Sequence, residues 1–190
     1  MNNKKFNPKK LLKLNDPLRL LDIPPEYVCS KLSQQKPDVL VEIGAGTAFF
    51  SVAFHQQLHA LTTYACDVSE TMIDWMKDNI SPQYPHIIPV KSEESFVPLE
   101  DNIADLVLMI NLHHELENQS LVINESYRLL KPGGEIFVID WKKEEMPHGP
   151  PVSIRCQPQD IEQQLKESAF RDIKIFDEMT KHFLVIAKKQ

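Results

Sequence analysis

Residues 39–50 read Val-Leu-Val-Glu-Ile-Gly-Ala-Gly-Thr-Ala-Phe-Phe. An apolar run reaches an acid, Glu42, and then two glycines, Gly44 and Gly46, separated only by Ala45. A second apolar pattern follows at once, with Phe49, Val52 and Ala53 at helical spacing. The stretch is a buried strand, a tight glycine turn and the start of a helix. Glycine at such a turn lets the chain reverse sharply and lets a ligand lie directly on the main chain. The helix that follows presents its free N-terminal amides to the same place.

Read outward from this turn, strands and helices alternate. Strands are expected over 39–43, 62–66, 86–90, 104–110 and 135–140, and helices over 48–60, 118–130 and 158–169. Ser69 is placed to cap a further helix that carries Met72, Ile73 and Met76 on one face. Lys131-Pro132-Gly133-Gly134 reads as the turn that ends one helix and leads to the fifth strand. Two more strands, 173–176 and 183–187, are joined by a connection too short for a crossover helix, so they pair antiparallel. The fold class is therefore α/β, a Rossmann-like doubly wound sheet of seven mostly parallel strands. An antiparallel hairpin closes it, and helices cover both faces. One domain over 1–190 is expected, with 1–35 as a helical cap and 36–190 as the core.

The composition limits the function. The chain has 190 residues, 42% hydrophobic and 25% charged, with a formal net charge of −6. An acidic chain without a basic block is a poor partner for nucleic acid. The Lys4-Lys5 and Lys9-Lys10 pairs read as a solvated terminus. No apolar run approaches about 18 residues, and the start has no apolar signal core, so a cytoplasmic protein with no membrane association is expected. Three cysteines, Cys29, Cys66 and Cys156, are an odd number without metal-binding spacing. They point to a reducing compartment and to no metal site.

The ligand class follows from what surrounds the glycines. A dinucleotide fingerprint needs a third glycine, where this chain has Phe49. A pyrophosphate would also be repelled by Glu42. A carboxylate there suits a ligand with positive charge and no phosphate, which describes S-adenosylmethionine.

Glu42-x-Gly44-x-Gly46-x-Ala48 resembles motif I, E/D-x-G-x-G-x-G, of the class I S-adenosylmethionine-dependent methyltransferases, with Ala48 in place of the last glycine. Asp67 lies 67 − 44 = 23 residues past the first glycine, where that family's ribose-binding acid lies. The stretch KSEESFVPLEDNIAD, 91–105, resembles the family's G-D-A-E-x-L-P-F-x-D-N-x-F-D segment, with Glu93 in place of the adenine-contacting Asp. LHHELEN, 112–118, and RLLKPGGEIFVID, 128–140, match the loop after strand four and the turn into strand five. The style of these motifs is that of small methyltransferases near the quinone-biosynthesis and arsenite branch.

The resemblance implies S-adenosylmethionine as cofactor and S-adenosylhomocysteine as product. It implies cofactor contacts at Glu42, Gly44, Ala45, Gly46, Asp67, Val68, Glu93, Glu94 and Asn111. Asp67 suits ribose hydroxyls and equally a helix cap, and Glu94 competes with Glu93 for one role. Methyl transfer asks for alignment and water exclusion, and for a base only when the acceptor must lose a proton. His114 is the candidate base, or else it shapes its loop. Asp140 and Trp141 are expected to face the acceptor, with Trp141 as a pocket wall. Asn111-Leu112-His113-His114 replaces the N-P-P-Y type motif, which disfavours adenine in nucleic acid and glutamine in protein. The expected partner is a small-molecule methyl acceptor, bound by a monomer or homodimer. Arsenite chemistry would need Cys29 and Cys156 to converge. Residues 6–21 and 141–151 are expected to close over the acceptor, through Phe6, Leu11, Leu12, Trp141, Met146 and the prolines. A cofactor-binding protein without transfer activity would share every one of these motifs.

Overall fold

The protein is described by a computed structural model covering residues 11–33 and 36–190. The two N-terminal lysine pairs, Phe6 and the Leu12 side chain, all part of the expected cap, lie outside the described residues. Strands β1 (Val39–Ile43), β2 (Thr62–Asp67), β3 (Ile87–Lys91), β4 (Ala104–Ile110), β5 (Leu130–Trp141), β6 (Arg171–Phe176) and β7 (His182–Lys188) form one sheet. Its order is β3-β2-β1-β4-β5-β7-β6. The first five strands run parallel, and β7 pairs antiparallel with both β5 and β6. The chain winds outward from β1 to β3, then returns to the other side of β1 to lay down β4. The glycine turn thus leaves the sheet at its switch point, where sheets of this kind bind ligands.

Residue parity distributes the core. Val41, Ile43, Val107, Met109, Ile136 and Val138 point to one face, under α6 (Gln119–Leu129) and α7 (Pro158–Glu167). Leu40, Leu106, Leu108, Phe137 and Ile139 point to the other, under α3 (Pro25–Ser30) and α4 (Phe49–Leu58). Such double-sided burial explains why β4 and β5 are apolar without alternation. Phe137 is fully buried, with its ring centre 5.1 Å from that of Phe54.

Pro25 is the first residue of α3, which buries Val28 and Cys29. Three expectations change. Ser69 precedes α5 (Glu70–Asn79), but its side chain makes no capping bond; the Asp67 carboxylate takes the Ser69 amide instead. Lys131–Gly134 is not a separate turn. The ladder already pairs Ala104 with Leu130 and resumes at Leu106 with Glu135, so the tetrapeptide bulges inside β5. Its glycines stay in the sheet because the Gly133 amide donates to the Lys189 carbonyl and the Lys189 amide donates to the Gly134 carbonyl. Cys29 and Cys156 pack on opposite faces of the sheet, Cys29 among the α3 and α4 residues and Cys156 against the α6 and α7 side. They do not converge, which removes the arsenite geometry.

Before the sheet, α1 (Leu11–Leu14), α2 (Arg19–Asp22) and α3 lie along the α4 face. Ion pairs tie them to the hairpin between β6 and β7, Asp22 with Lys181 and Lys31 with Glu178, and the Tyr27 hydroxyl donates to Glu178.

Phe137→Ala should lower stability by about 3–5 kcal/mol, the cost of an uncollapsed aromatic cavity at the centre of one face. Urea unfolding measures it; a loss below about 1 kcal/mol would contradict this packing.

Candidate functional site

The C-terminal end of β1 sets the geometry. The amides of Gly44 and Ala45 both donate to the Cys66 carbonyl at 2.9 Å, so the turn is bonded across to β2. Asp67, at the end of β2, accepts from the Gly46 amide at 2.8 Å through one oxygen and from the Ser69 amide at 2.8 Å through the other. Gly44 and Gly46 take φ values of +74° and +58°. A Cβ on Gly44 would lie 2.6 Å from Leu112 Cδ1, so a side chain is excluded by space as well as by conformation. Ala48 also sits in the left-handed region, φ 56°, and starts α4. That is where the motif's last glycine would stand, and Ala tolerates it at about 1–2 kcal/mol.

The Thr47 hydroxyl and the Asn111 side-chain oxygen are buried at this end of the sheet without a protein partner, as are both ring nitrogens of His113 and of His182. Asn111 follows β4 with φ 55°, and its amide donates to the Ile139 carbonyl. Unpaired buried acceptors and donors are costly, and a polar ligand at the strand ends satisfies them. The donor set fits S-adenosylmethionine: a bare main-chain cradle, a carboxylate with spare lone pairs at Asp67 and neutral oxygens at Thr47 and Asn111.

Glu42 behaves differently from the sequence expectation. Parity points it to the α4 face, where it is 2% exposed and accepts a hydrogen bond from the Ser51 hydroxyl. Burial pushes its carboxyl up to about 7, against the pull of Ser51 and of the Arg19 guanidinium facing it. Val68 is exposed beside Asp67. The Glu93 side chain is exposed while its amide donates to Phe96, and Glu94 accepts from the Glu117 amide, which joins the loops after β3 and β4.

After β4, His113 and His114 form a short 3-10 turn. His114 Nδ1 lies 2.7 Å from one Asp140 oxygen, and the His114 amide donates to the other at 3.0 Å. Asp140 is wholly buried at the end of β5 and also accepts from the Trp141 amide. The carboxylate can only accept, so Nδ1 carries the proton and Nε2 is left as the basic nitrogen. Sequence reading sent Asp140 toward the acceptor; its place beneath His114 is what spacing alone did not show. Trp141 points to the opposite face, its ring 4.3 Å from that of His182 and close under Gly149. Arg155 donates to the carbonyls of Lys142, Glu144 and Pro150, so the loop expected to be a lid is pinned. His182 is a residue the sequence reading missed. It is 1% exposed, with neither ring nitrogen bonded, and burial lowers it to about 4.

A mostly parallel seven-stranded sheet with this hairpin and a cofactor cradle after β1 defines a class I methyltransferase fold. The family description "Methyltransferase domain" matches residues 41–138, and the chain belongs to that family, whose cofactor is S-adenosylmethionine. A crystal structure of an S-adenosylmethionine-dependent methyltransferase from Aquifex aeolicus is 28% identical, with a TM-score of 0.90, and covers 98% of this chain and 100% of that one. A methyltransferase named YdaC from Bacillus subtilis is 24% identical over 79% of this chain and 81% of its own length. The tRNA N(3)-cytidine methyltransferase METTL2 of Gallus gallus is 30% identical over 56% of this chain, but the match spans only 30% of that protein.

Glu42 gives a pH prediction. Below its ordinary value of 4.5 it is protonated folded or unfolded, so it adds nothing. Between there and about 7 the unfolded chain ionises first, and stability falls as pH rises. Glu42→Gln should flatten this part of the slope, read by urea unfolding at about pH 5 and about pH 7.5. An unchanged slope would show that Glu42 ionises freely in the folded protein.

Proposed function

We propose that this protein transfers a methyl group from S-adenosylmethionine to a small-molecule acceptor that must give up a proton. The observation carrying this reading is the buried His114–Asp140 pair at the ends of β4 and β5, beside the glycine turn. Gly44, Ala45, Gly46 and Asn111 would hold the methionine end, and Asp67 the ribose. Val68 and the loop of Glu93 and Glu94 would flank the adenine. Bound S-adenosylmethionine supplies a methyl already activated on a sulfonium. The chain's own task is to place the acceptor, exclude water and take a proton. His114 Nε2 takes it. Asp140 fixes the ring's tautomer and stabilises the charge that forms on it, as a buried carboxylate does for imidazolium.

A small acceptor agrees with the surface. The rim at the strand ends carries Glu93, Glu94, Glu115 and Glu117, and the chain's net charge is −6. Such a rim repels a polyanion. The tRNA substrate belongs to a relative of which this chain spans less than a third. Among the described residues no helix is long and apolar enough to cross a membrane.

The test follows the conversion of S-adenosylmethionine to S-adenosylhomocysteine against a metabolite panel. His114→Gln and Asp140→Asn should each lower turnover, by about 10²–10⁴-fold for His114, while S-adenosylhomocysteine affinity stays within about 2-fold. Full turnover in His114→Gln would make the histidine a loop anchor. Intact cofactor binding with no turnover on any acceptor would favour a cofactor-binding protein without transfer activity.

A further inference from the structure

The described arginines that lie inward serve two visibly different purposes. Arg155 spends its donors on four backbone carbonyls, and Arg128 pairs with Glu125 and Asp101 while holding the carbonyls of Val97 and Leu99. Both are pins. Arg19 is half-buried on the α4 face and donates once, to the Leu14 carbonyl. Its guanidinium lies over the rings of Phe50 and Phe49, 4.5 and 5.5 Å from their centres. Glu42 and Asp16 face it, yet among the described residues no carboxylate lies within ion-pair distance. A planar fork of donors is therefore left with one bond.

Its position is specific. Leu14, which Arg19 holds, covers the glycine turn: a Cβ on Gly46 would lie 3.1 Å from Leu14 Cδ1. Phe49 and Phe50 form the first turn of α4, directly after Gly46 and Ala48. Glu42 leads into the same turn, and the unpaired Asn111 oxygen ends the neighbouring strand. An unspent cation, a buried carboxylate facing it and an unpaired amide oxygen thus surround one end of the cradle.

We propose that Arg19 binds the carboxylate of the amino-acid end of S-adenosylmethionine, while Glu42 and Asn111 receive its ammonium. This rests on the cofactor assignment and adds to it a residue from outside the glycine motif. A zwitterion brings one charge of each sign, so it meets Arg19 and Glu42 without burying net charge. Arginine is suited to the task because its fork matches a carboxylate with two parallel bonds. The cap that carries Arg19 then closes on the amino-acid end in particular, and the nucleoside end alone does not engage it.

Calorimetry with two probes separates the possibilities. S-adenosylhomocysteine carries the amino-acid end; 5′-methylthioadenosine lacks it. Arg19→Gln should weaken S-adenosylhomocysteine by about 10- to 100-fold and leave 5′-methylthioadenosine within about 2-fold. Arg19→Lys keeps the charge without the fork and should lose less. An equal loss for both probes would make Arg19 a structural support of the cap, and no loss for S-adenosylhomocysteine would place its carboxylate elsewhere. Either result overturns the proposal. Wild-type protein that binds neither probe overturns the cofactor assignment itself, and this inference with it.

Discussion

The turn from β1 into α4 governs the rest of the site. Two left-handed glycines and Ala48 reverse the chain, and β2 holds that reversal through the Cys66 carbonyl and the Asp67 carboxylate. Asp67 performs two structural duties at once, bonding the Gly46 amide and the amide that opens α5. Because those bonds leave lone pairs free, the same carboxylate remains open to ribose hydroxyls. A substitution there would therefore disturb the cradle as well as a single ligand contact.

Around this turn the fold sorts charge by face. Odd-numbered residues of β1 go under α6 and α7, and even-numbered ones go under α4, so Glu42 is carried into an apolar layer with only Ser51 to bond it. In β5 the even-numbered residues go under α6 and α7, so Asp140 lies on the other face, where it meets His114. The two buried acids are thus separated by the sheet. One faces the cap and Arg19; the other serves the histidine. Trp141, one residue later, returns to the cap side and packs on His182. Burial keeps His182 neutral there against the pull of Asp140 and Asp22, and Lys181 and Arg19 add to the effect.

Much of this was legible in the sequence, because alternation and glycine placement are local signals. The five parallel strands and the antiparallel pair stand where apolar runs and short connections put them, within a few residues. The cofactor family followed from Glu42, the paired glycines, Asp67 and the segments at 91–105 and 128–140. What stayed hidden depends on contacts distant in the chain. Nothing near Asp140 shows that it meets a histidine 140 − 114 = 26 residues earlier. Nothing near Lys131–Gly134 shows that Lys189, from the far end, will hold it inside a strand. Arg19 and His182 have no motif, and their meaning comes only from burial that leaves most of Arg19's donors and both His182 ring nitrogens without hydrogen bonds. Cys29 and Cys156 looked able to meet until the faces of their elements were known.

The central claim is that the β1 turn and its surroundings accept S-adenosylmethionine and reject a dinucleotide. Calorimetric titration of S-adenosylhomocysteine and of NAD into the same protein tests it most directly. The account predicts S-adenosylhomocysteine binding in roughly the micromolar range and no measurable NAD binding, because Phe49 fills the third-glycine position. NAD binding tighter than S-adenosylhomocysteine would contradict it.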